Sequence, residues 1–486
     1  MFGLLPVLNV LATVLVGYSL MFLVPLGFTL TLDHSDLHGT WAKAMALTLG
    51  SGLLLMVLTR RHRRELMPRD GFLLVNLVWL VLPAFSAIPL LLAIDGLSWT
   101  DAYFESMSAL TATGATVLSG LDALPVSVNV WRCYLQLIGG LGIILLVVAI
   151  LPLLGVGGVQ LYKAETPGPM KDTRLTPRIA ETARGLWSVY FVFSLACMLS
   201  YRYAGMSWPD AFMHTCTTMG LGGFSSHDAS FAYWNSPQLE WVAIIFMALA
   251  GVSFARYFIV WRARSMLPLL RDVEIRTYAM VLLASIAGLA GLLLAHGTYE
   301  SAPAALQAAA FHVVSVATTT GYASVDYAMW PVFAPIWLMF LGTFVSCAGS
   351  TGGGIKMVRM VVLVKQARRE MVRAIHPRIV NPVTLGRATI SNQVIANVMA
   401  YMLIYGATTL GLTMLMLLSG LDIVTAFSAV VATVNNIGPG LGRVGPSANF
   451  GNLSDFQTWV CTVGMLVGRL ELIAVMVLFT PEFWRR

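Results

Sequence analysis

Four short segments of this chain place a glycine among small or hydroxyl-bearing residues, and each lies between two long apolar stretches. The glycines are Gly114, Gly222, Gly321 and Gly438, which are 108, 99 and 117 residues apart. Glycine lets the backbone adopt a positive φ, so that successive carbonyl oxygens can point toward one axis and bind a cation. This spacing is far longer than the repeat of a soluble solenoid. Four copies of one unit indicate a single pore built from one polypeptide.

A short helix is predicted before each glycine. Cap residues mark its start at Ser98, Ser207, Ser301 and Asp422. About ten helical residues measure ~15 Å, half the thickness of a bilayer, so each segment must enter the membrane and turn back. The C-terminal ends of these helices carry partial negative charge. If four such ends converge on one axis, they favour a cation there.

The composition is that of a polytopic membrane protein. Of the 486 residues, 57% are hydrophobic and only 11% are charged, whereas soluble domains are about a quarter charged. Apolar runs of about 20 residues, the length that crosses a ~30 Å hydrocarbon core, recur along the chain. The first run, from Phe2 to about Leu32, has no basic leader and is longer than the apolar h-region of a typical signal peptide, so it is predicted to be a retained span.

The apolar runs predict ten membrane spans. Two of them form an N-terminal hairpin within residues 1–58, with spans at 4–31 and 41–58. The other eight form four pairs that enclose the glycine segments: 71–93 with 128–157, 185–204 with 236–261, 277–296 with 332–355, and 391–419 with 453–482. The repeats then occupy 71–157, 185–261, 277–364 and 391–486. The predicted fold class is all-α, with four span–short helix–loop–span repeats around one pore and two additional N-terminal helices.

The distribution of positive charge orients this topology. Lysine and arginine cluster in 59–70, 158–184, 262–276 and 356–387 and at the C-terminus. Because positively charged loops face the cytoplasm, both termini are predicted to be cytoplasmic and every glycine segment falls on the outer side. The net charge of +7 is therefore explained by topology and does not indicate nucleic-acid binding.

The residues give little support to a metal-binding protein, a disulfide-stabilised protein or an enzyme. The five cysteines are scattered and show neither metal-ligand spacing nor a disulfide framework: Cys133, Cys197, Cys216, Cys347 and Cys461. The sequence contains no HExxH or GxSxG motif, no paired intramembrane carboxylates and no nucleotide-binding motif. The chain is therefore predicted not to be an enzyme and to hold no cofactor of its own.

The glycine segments resemble the TrkH/TrkG branch of bacterial potassium-uptake proteins, in the superfamily with KtrB and the plant HKT transporters. The similarity extends over nearly the whole chain and is most specific at 111–118, 214–230, 318–327, 347–356 and 435–442. The two additional N-terminal spans favour the TrkH type over the shorter KtrB type. This resemblance implies potassium uptake across the bacterial inner membrane.

The resemblance also implies which residues form a potassium filter. They are three in each segment: Ala112, Thr113 and Gly114; Gly220, Leu221 and Gly222; Thr319, Thr320 and Gly321; Asn436, Ile437 and Gly438. All four segments keep the glycine, and a serine in the first goes with sodium preference in the plant relatives, so potassium selectivity is implied. The family pattern has threonine where this chain has Ala112 and Leu221. If threonine hydroxyls form an inner site, their loss would weaken discrimination between cations. Arg443 stands where that pattern has an acid.

A glycine cluster interrupts the second span of the third repeat and, by sequence, of no other repeat. Glycine destabilises a helix interior by about 1 kcal/mol, so residues 345–355 are predicted to break the helix within the membrane. The resemblance implies a gate beneath the filter that contains Cys347, Ala348, Gly349, Ser350, Thr351, Gly352, Gly353, Gly354 and Lys356. A tightly packed glycine-rich crossing is the alternative. A phosphate-binding loop is disfavoured because Ile355 separates the glycines from Lys356.

Four further polar residues occur in apolar surroundings. Arg469 lies deep in the last span, where a charge costs several kcal/mol and normally faces a bundle interior or an aqueous cavity. The resemblance implies that it faces the pore as a barrier to cations, and a structural ion pair is the alternative. Arg256 is interpreted as a tether between helices or subunits. His214 and His312 are interpreted as hydrogen-bonding residues behind the filter rather than proton carriers.

The resemblance implies partners as well. A cytosolic TrkA-type ring that binds NAD or ATP would dock on the basic cytoplasmic loops, which also lie near membrane lipid, and two pores would form a homodimer. A proton- or sodium-coupled potassium symporter on the same scaffold is the alternative to a channel-like pore. A membrane-embedded enzyme is the remote alternative.

Overall fold

The computed structural model describes residues 4–33, 37–62, 64, 66–142, 179–386, 388–470 and 472–485. Apart from one two-stranded antiparallel sheet, β1 (Thr384–Leu385) with β2 (Ala388–Thr389), the regular structure in these ranges is helical. The all-α prediction is therefore confirmed. The second half of the predicted span 128–157, most of the basic segment 158–184, and Glu471 lie outside the described residues.

The first two predicted spans form an antiparallel hairpin. Its helices are α1 (Leu4–Ser19), α2 (Leu23–Thr31), which follows a 3-10 turn at Leu20–Phe22, and α3 (His38–Thr59). Asn9 donates a 2.9 Å hydrogen bond to the hydroxyl of Thr59 and so joins the start of α1 to the end of α3. Phe22 stacks on Trp131 with ring centroids 4.6 Å apart. This contact packs the hairpin against the first repeat.

The same order of helices then occurs four times. The first repeat contains α4 (Pro68–Ala93), α5 (Trp99–Leu110) and α6 (Val126–Leu141). The second contains α7 (Ile179–Tyr203), α8 (Trp208–Gly220), α9 (Pro237–Ala250) and α10 (Phe254–Ala263). After α11 (Leu267–Leu270), the third contains α12 (Val273–Ala295), α13 (Ala302–Ala317), α14 (Phe333–Phe344) and α15 (Met357–Ile375). The last contains α16 (Asn392–Leu418), α17 (Ile423–Val434), α18 (Asp455–Arg469), α19 (Leu472–Met476) and α20 (Pro481–Trp484).

The four short helices are α5, α8, α13 and α17, and they begin where the cap residues predict. The side chains of Ser98, Ser207, Ser301 and Asp422 accept hydrogen bonds from backbone N–H groups in the first turn, over 3.0, 3.1, 3.4 and 3.0 Å. The helices have 12, 13, 16 and 12 residues. At 1.5 Å per residue they are about 18–24 Å long, which is too short to cross a membrane.

The short helices form the buried centre of the molecule. Each packs against the helices that precede and follow it in its own repeat and against one helix of another repeat. The neighbours from other repeats are α18 for α5, α6 for α8, α9 for α13 and α14 for α17. Every repeat therefore contacts the next, and the fourth contacts the first. This cyclic order arranges the four short helices around one axis.

Fewer helices reach full membrane length than the ten predicted spans. Within the described residues, five helices are long and apolar enough to cross a membrane, and two bent pairs, α9–α10 and α18–α19, bring the number to seven. The other three predicted spans correspond to α6, whose expected continuation is not described, to α7, which carries charged residues such as Arg184 and Arg202, and to α14, which has 12 residues.

The prediction that only the third repeat has an interrupted second span is wrong. In the second repeat α9 and α10 meet at an angle of 84° around Gly251 and Ser253. In the fourth repeat α18 ends at Arg469 and α19 begins at Leu472. Glycine is required at position 251 of this break, because a side chain there would come within 2.5–3.0 Å of Tyr278 and Thr318. Interruption of the second span is therefore a wider property of this architecture.

The basic segment 356–387 is mostly helical rather than a loop. Its amphipathic helix α15 follows the glycine-rich loop directly and packs on α16. The guanidinium of Arg359 lies 4.0 Å from the ring centroid of Tyr401, and Arg369 donates to the side-chain oxygen of Asn392 over 3.1 Å. Lys365 donates to the carbonyl of Thr384 over 2.7 Å. Some of the basic residues thus hold α15 in place instead of facing only solvent.

Candidate cation site

The four short helices end in the same backbone turn. In each, one N–H donates to the carbonyl five residues earlier over 2.8–2.9 Å, and the donors are Thr113, Gly222, Thr320 and Ile437. The preceding residue has a positive φ, with +52° at Ala112, +52° at Leu221, +65° at Thr319 and +54° at Asn436. A non-glycine residue pays about 1–2 kcal/mol for this conformation. Four strained residues at equivalent positions indicate that the turn has a functional purpose.

The structure corrects the predicted register of the second segment. The residue after each donor is a glycine with a positive φ, and these glycines are Gly114, Gly223, Gly321 and Gly438. Gly222 occupies the position of Thr113 instead, and Gly220 that of Thr111. The sequence alignment is therefore displaced by one residue in this segment, where Gly222 and Gly223 are adjacent. The carbonyls that correspond to the other segments belong to Leu221, Gly222 and Gly223.

The four loops close into a ring. A methyl group on Gly114 would overlap the carbonyl oxygen of Gly222, one on Gly223 that of Thr320, and one on Gly321 that of Ile437. The ring closes where a methyl group on Gly438 would lie 2.9 Å from the carbonyl oxygen of Thr113. Each glycine is required because the next loop leaves no room for a side chain. The order of contacts is the cyclic order of the short helices.

Backbone oxygens are the ligands that this ring offers. Among the described residues, no group of three or more His, Cys, Asp or Glu side chains could hold a metal ion. The hydroxyls of Thr113 and Thr320 bond to those of Thr111 and Thr318, over 2.7 and 2.8 Å. Those hydroxyls are therefore used to brace the loops. A ring of carbonyl oxygens can replace the hydration shell of an alkali cation.

A pocket of about 90 Å³ opens on the side of the ring that the distribution of charge predicts to be the outer one. It is lined by all four positive-φ glycines and by residues of the outer loops, among them His227, Asp228 and Val444. Arg443 is exposed and is not among its lining residues. Arg443 therefore does not line the mouth of the pocket, although its neighbour Val444 does.

His227 connects two outer loops beside this pocket. Its Nδ1 bonds to the carboxylate of Asp122, and its Nε2 lies 3.5 Å from a carboxylate oxygen of Asp210. Partial burial opposes the charged form, but the neighbouring carboxylates of Asp210 and Asp122 outweigh it and raise the pKa of His227 above its ordinary value. Burial also acts against ionisation of Asp122, but the hydrogen bond from His227 keeps the pKa of that carboxyl below its usual range.

The glycine-rich loop, residues 345–355, packs against the C-terminal turns of the short helices from the side opposite the pocket. The hydroxyl of Thr351 donates to the carbonyl of Met219 over 2.9 Å, and the hydroxyl of Thr319 accepts from Gly353 N–H over 2.8 Å. A side chain on Gly353 would overlap the carbonyl of Asn435. The loop therefore touches the ends of three short helices, on the side away from the outer pocket.

Arg469 joins this loop to the first repeat. Its guanidinium donates to the carbonyl oxygens of Thr351, over 2.9 Å, and of Gly140, over 2.6 Å, and also to that of Gly139. Gly139 packs directly against the end of the first short helix, because a side chain there would overlap the carbonyl of Leu110. The arginine thus extends the contacts of the loop to all four repeats.

Comparisons with known proteins agree with this architecture. Residues 39–486 match the family model TrkH, described as a cation transport protein. The chain belongs to the TrkH family. It is 42% identical to the Trk system potassium uptake protein TrkH of Halomonas elongata over 99% of both chains, and 42% identical to that of Escherichia coli over 91% of both. The crystal structure of the potassium transporter TrkH from Vibrio parahaemolyticus superposes with a TM-score of 0.90 at 37% identity, covering 100% of both chains.

In this TrkH-family protein the two buried histidines are bonded to the short helices and their loops. His214 Nδ1 lies 2.9 Å from the carbonyl oxygen of Asp210, and its Nε2 lies 3.1 Å from the hydroxyl of Ser225. His312 makes the same contact with Ala308 over 2.8 Å and accepts from Ser324 N–H over 3.3 Å. Both rings hold the outer arm of their own loop, as the sequence interpretation expects.

Arg256 is a tether between helices, one of the two interpretations given above. Its guanidinium on α10 lies 2.6 Å from a carboxylate oxygen of Asp272, which caps α12. The ion pair joins the bent second span of repeat two to the first span of repeat three.

Three polar residues around the site escaped the sequence analysis. Glu274 accepts from Ala348 N–H over 2.7 Å and from Val358 N–H over 3.1 Å, and so holds both ends of the glycine-rich loop. The predicted span began at 277, which left Glu274 in a basic loop. Arg132 forms a buried ion pair with Glu105 at 2.7 Å, and Gln136 lies one turn further on α6. Arg132 could have been found by the signal that identified Arg469, which is a charged residue inside a predicted span.

Proposed function

We propose that this multi-pass membrane protein takes up potassium across a bacterial inner membrane, through a filter formed by the ring of backbone carbonyls. The closed ring of four loops is the observation that carries the proposal. The printed names of the relatives, which are Trk system potassium uptake proteins and a potassium transporter, support the choice of ion. The loops contribute Ala112, Thr113 and Gly114; Leu221, Gly222 and Gly223; Thr319, Thr320 and Gly321; Asn436, Ile437 and Gly438.

The filter works by substitution of the ion's hydration shell. A potassium ion enters from the outer pocket and exchanges water for carbonyl oxygens of the four loops. The four helix ends behind the loops add partial negative charge and offset the cost of dehydration. Because the glycines pack without free space against the next loop, the ring resists collapse around a smaller ion.

The glycine-rich loop and Arg469 control passage below the ring. The loop lies across the inner ends of the turns, and the guanidinium places a positive charge beside it. In the conducting state the loop is displaced and the arginine moves with it. Glu274 holds the loop at both ends and so limits that movement.

Regulation reaches the loop through α15, which begins at Met357, two residues after it ends. A cytosolic TrkA-type ring that binds NAD or ATP docks on the basic cytoplasmic surface and pulls or releases this helix.

Two copies of the chain form a homodimer with one pore each, surrounded by membrane lipid. The N- and C-termini face the cytoplasm, in keeping with the distribution of basic residues.

Flux into liposomes that contain the purified protein tests the proposal. Rubidium or potassium uptake should follow the cation gradient, and uptake that requires an imposed proton gradient would instead indicate a symporter.

Gly114→Ser and Gly438→Ser should change the potassium-to-sodium permeability ratio, because each side chain would enter the ring. Gly120→Ser is the matched control, since Gly120 also has a positive φ but nothing lies within 4 Å of its added side chain. Unchanged selectivity in both ring variants would refute the filter assignment.

A further inference from the structure

The four loops share a backbone but are braced differently. Two side-chain positions, one before and one after the strained residue, decide the brace in each loop. They hold Thr111 and Thr113 in the first loop, Gly220 and Gly222 in the second, Thr318 and Thr320 in the third, and Asn435 and Ile437 in the fourth. Paired hydroxyls stabilise the first and third loops, and the amide of Asn435 bonds to the hydroxyl of Tyr405 in the fourth, over 2.9 and 3.1 Å. The second loop has no side chain at either position.

The missing side chains bring α6 against the second loop. A methyl group on Gly220 would lie 2.5 Å from the backbone oxygen of Gln136, and one on Gly140 would lie 2.7 Å from Gly220 Cα. One on Gly222 would overlap the side-chain amide of Gln136. Gln136 therefore fills the space that threonine side chains occupy in the first and third loops. Its own side chain is fully buried.

The amide of Gln136 uses both of its polar groups on this loop. Its N–H donates to the carbonyl oxygen of Gly222 over 2.9 Å, and its carbonyl oxygen accepts from Phe224 N–H over 3.1 Å. The two bonds lie on either side of Gly223, the ring glycine of this loop. A buried side chain that satisfies both groups in this way holds the intervening peptides in one orientation.

The bonded carbonyl is one of the ring oxygens. Gly222 corresponds to Thr113, Thr320 and Ile437, and its oxygen is the one that excludes a side chain from Gly114. A carbonyl oxygen has two acceptor positions, so the bond from Gln136 occupies one and leaves the other for the ion. The bond also prevents the oxygen from moving inward to contact a smaller ion.

We propose that Gln136 is a specificity-determining residue that positions the Gly222 carbonyl, and that the bond from its amide contributes to discrimination between potassium and sodium. The inference rests on the proposed potassium filter. Gln136 does not touch the ion. It acts through the orientation of one ring oxygen, in the loop that lacks a brace of its own.

Two variants test this role. Gln136→Met keeps the length of the side chain but removes both hydrogen bonds. Gln136→Glu, measured at alkaline pH so that its carboxylate is ionised, keeps an acceptor for Phe224 N–H and loses the donor to Gly222. The reversal potential in opposed potassium and sodium solutions should show the potassium preference falling about three- to tenfold in both variants, the ratio that one hydrogen bond is worth. Gln307→Met is the matched control, because Gln307 bonds to Glu240 and lies away from the ring.

The outcomes separate this inference from the filter itself. A wild-type protein and a Gln307→Met control that carry no potassium flux, with the cytosolic ring added as well as without it, would refute the proposed function. Conducting wild-type protein together with unchanged selectivity in either Gln136 variant would overturn the role of Gln136 and leave the filter standing. If a variant folds but does not conduct, its ion preference is measured by thermal unfolding. The potassium and sodium concentrations that give half of the maximal stabilisation are determined, and their ratio is compared with that of wild-type protein. A lower preference supports the role, and an unchanged ratio refutes it.

Discussion

The guanidinium of Arg469 donates a 2.9 Å hydrogen bond to the carbonyl oxygen of Thr351, so the last long helix is joined to the glycine-rich loop. Thr351 in turn bonds through its hydroxyl to Met219, at the end of the second short helix. The loop and the arginine therefore form one connected layer against the inner side of the carbonyl ring. Movement of the loop must therefore break the contacts of Thr351 with Arg469 and with Met219.

Replacement of Arg469 by alanine should raise potassium flux in liposomes by about tenfold or more. The substitution removes a positive charge near the ion path and three hydrogen bonds to backbone carbonyls, and the repulsion between unit charges in a medium of intermediate dielectric amounts to a few kcal/mol. Arg202→Ala is the control, because Arg202 lies on α7 and bonds to Met206. Flux that is unchanged or lower in Arg469→Ala would contradict a barrier role.

Glu274→Ala should loosen the glycine-rich loop. The substitution leaves the buried N–H groups of Ala348 and Val358 without their acceptor, and an unsatisfied buried donor costs about 1–3 kcal/mol. Hydrogen–deuterium exchange of residues 346–358 should become faster, and Glu274→Gln should show a smaller effect because its amide oxygen still accepts. Glu240→Ala removes a different buried carboxylate and serves as the control. Equal exchange rates in Glu274→Ala and wild-type protein would count against the anchor.

Gly223→Ala should distort the ring and sharply lower potassium uptake. The backbone of Gly223 has φ +75°, and an added methyl group would overlap the carbonyl oxygen of Thr320 in the next loop. Gly120→Ala introduces a comparable backbone strain at φ +72°, with open space around the new methyl group, and should retain most of the uptake. Rubidium flux at matched protein amounts compares the two. Normal flux in Gly223→Ala would show that this residue is not at the ring position.

Breaking the buried pair between Glu105 and Arg132 should destabilise the protein by about 3–5 kcal/mol, because one charge is left uncompensated in the core. Glu105 also accepts from Thr116 and Val117, so its loss frees the outer arm of the first loop. Thermal unfolding of Glu105→Gln, Arg132→Met and the double variant measures the coupling. The double variant should be less destabilised than the sum of the single variants, and strict additivity would disprove the pairing.

The bond between His227 and its carboxylates should make outer-loop stability depend on pH. A histidine whose pKa is raised by folding stabilises the native state fully below its unfolded value of about 6.5. This contribution is lost as the pH rises through the raised pKa of His227. The difference in melting temperature between wild-type protein and His227→Gln should thus be larger at acidic than at alkaline pH. A difference that does not vary between pH 5.5 and 9, with His296→Gln as the reference, would contradict this linkage.

Local signals account for most of what could be predicted. The caps at Ser98, Ser207, Ser301 and Asp422 follow from side chains that satisfy N–H groups a few residues away, and they lie where the sequence indicates. Apolar runs and clusters of basic residues similarly reflect the bilayer, which acts on each segment separately. The resemblance implied that Arg469 faces the pore, and the structure adds its contact with the glycine-rich loop.

Contacts between distant segments account for what could not be predicted. The register of the second loop depends on which of two adjacent glycines meets Thr320, nearly one hundred residues further on. The position of Glu274 at the ends of the glycine-rich loop and the bend at Gly251 likewise depend on packing between repeats. Local patterns do not contain such distances.

The sequence by itself determined a membrane protein with four glycine loops, the starts of their helices and their family, because these properties depend on short-range chemistry and on the solvent that surrounds each helix. The tertiary structure decided which carbonyls face one another and which side chains hold them. Gln136 shows the difference most clearly, since its amide reaches Gly222 across 86 residues of chain only because both loop positions beside it lack a side chain.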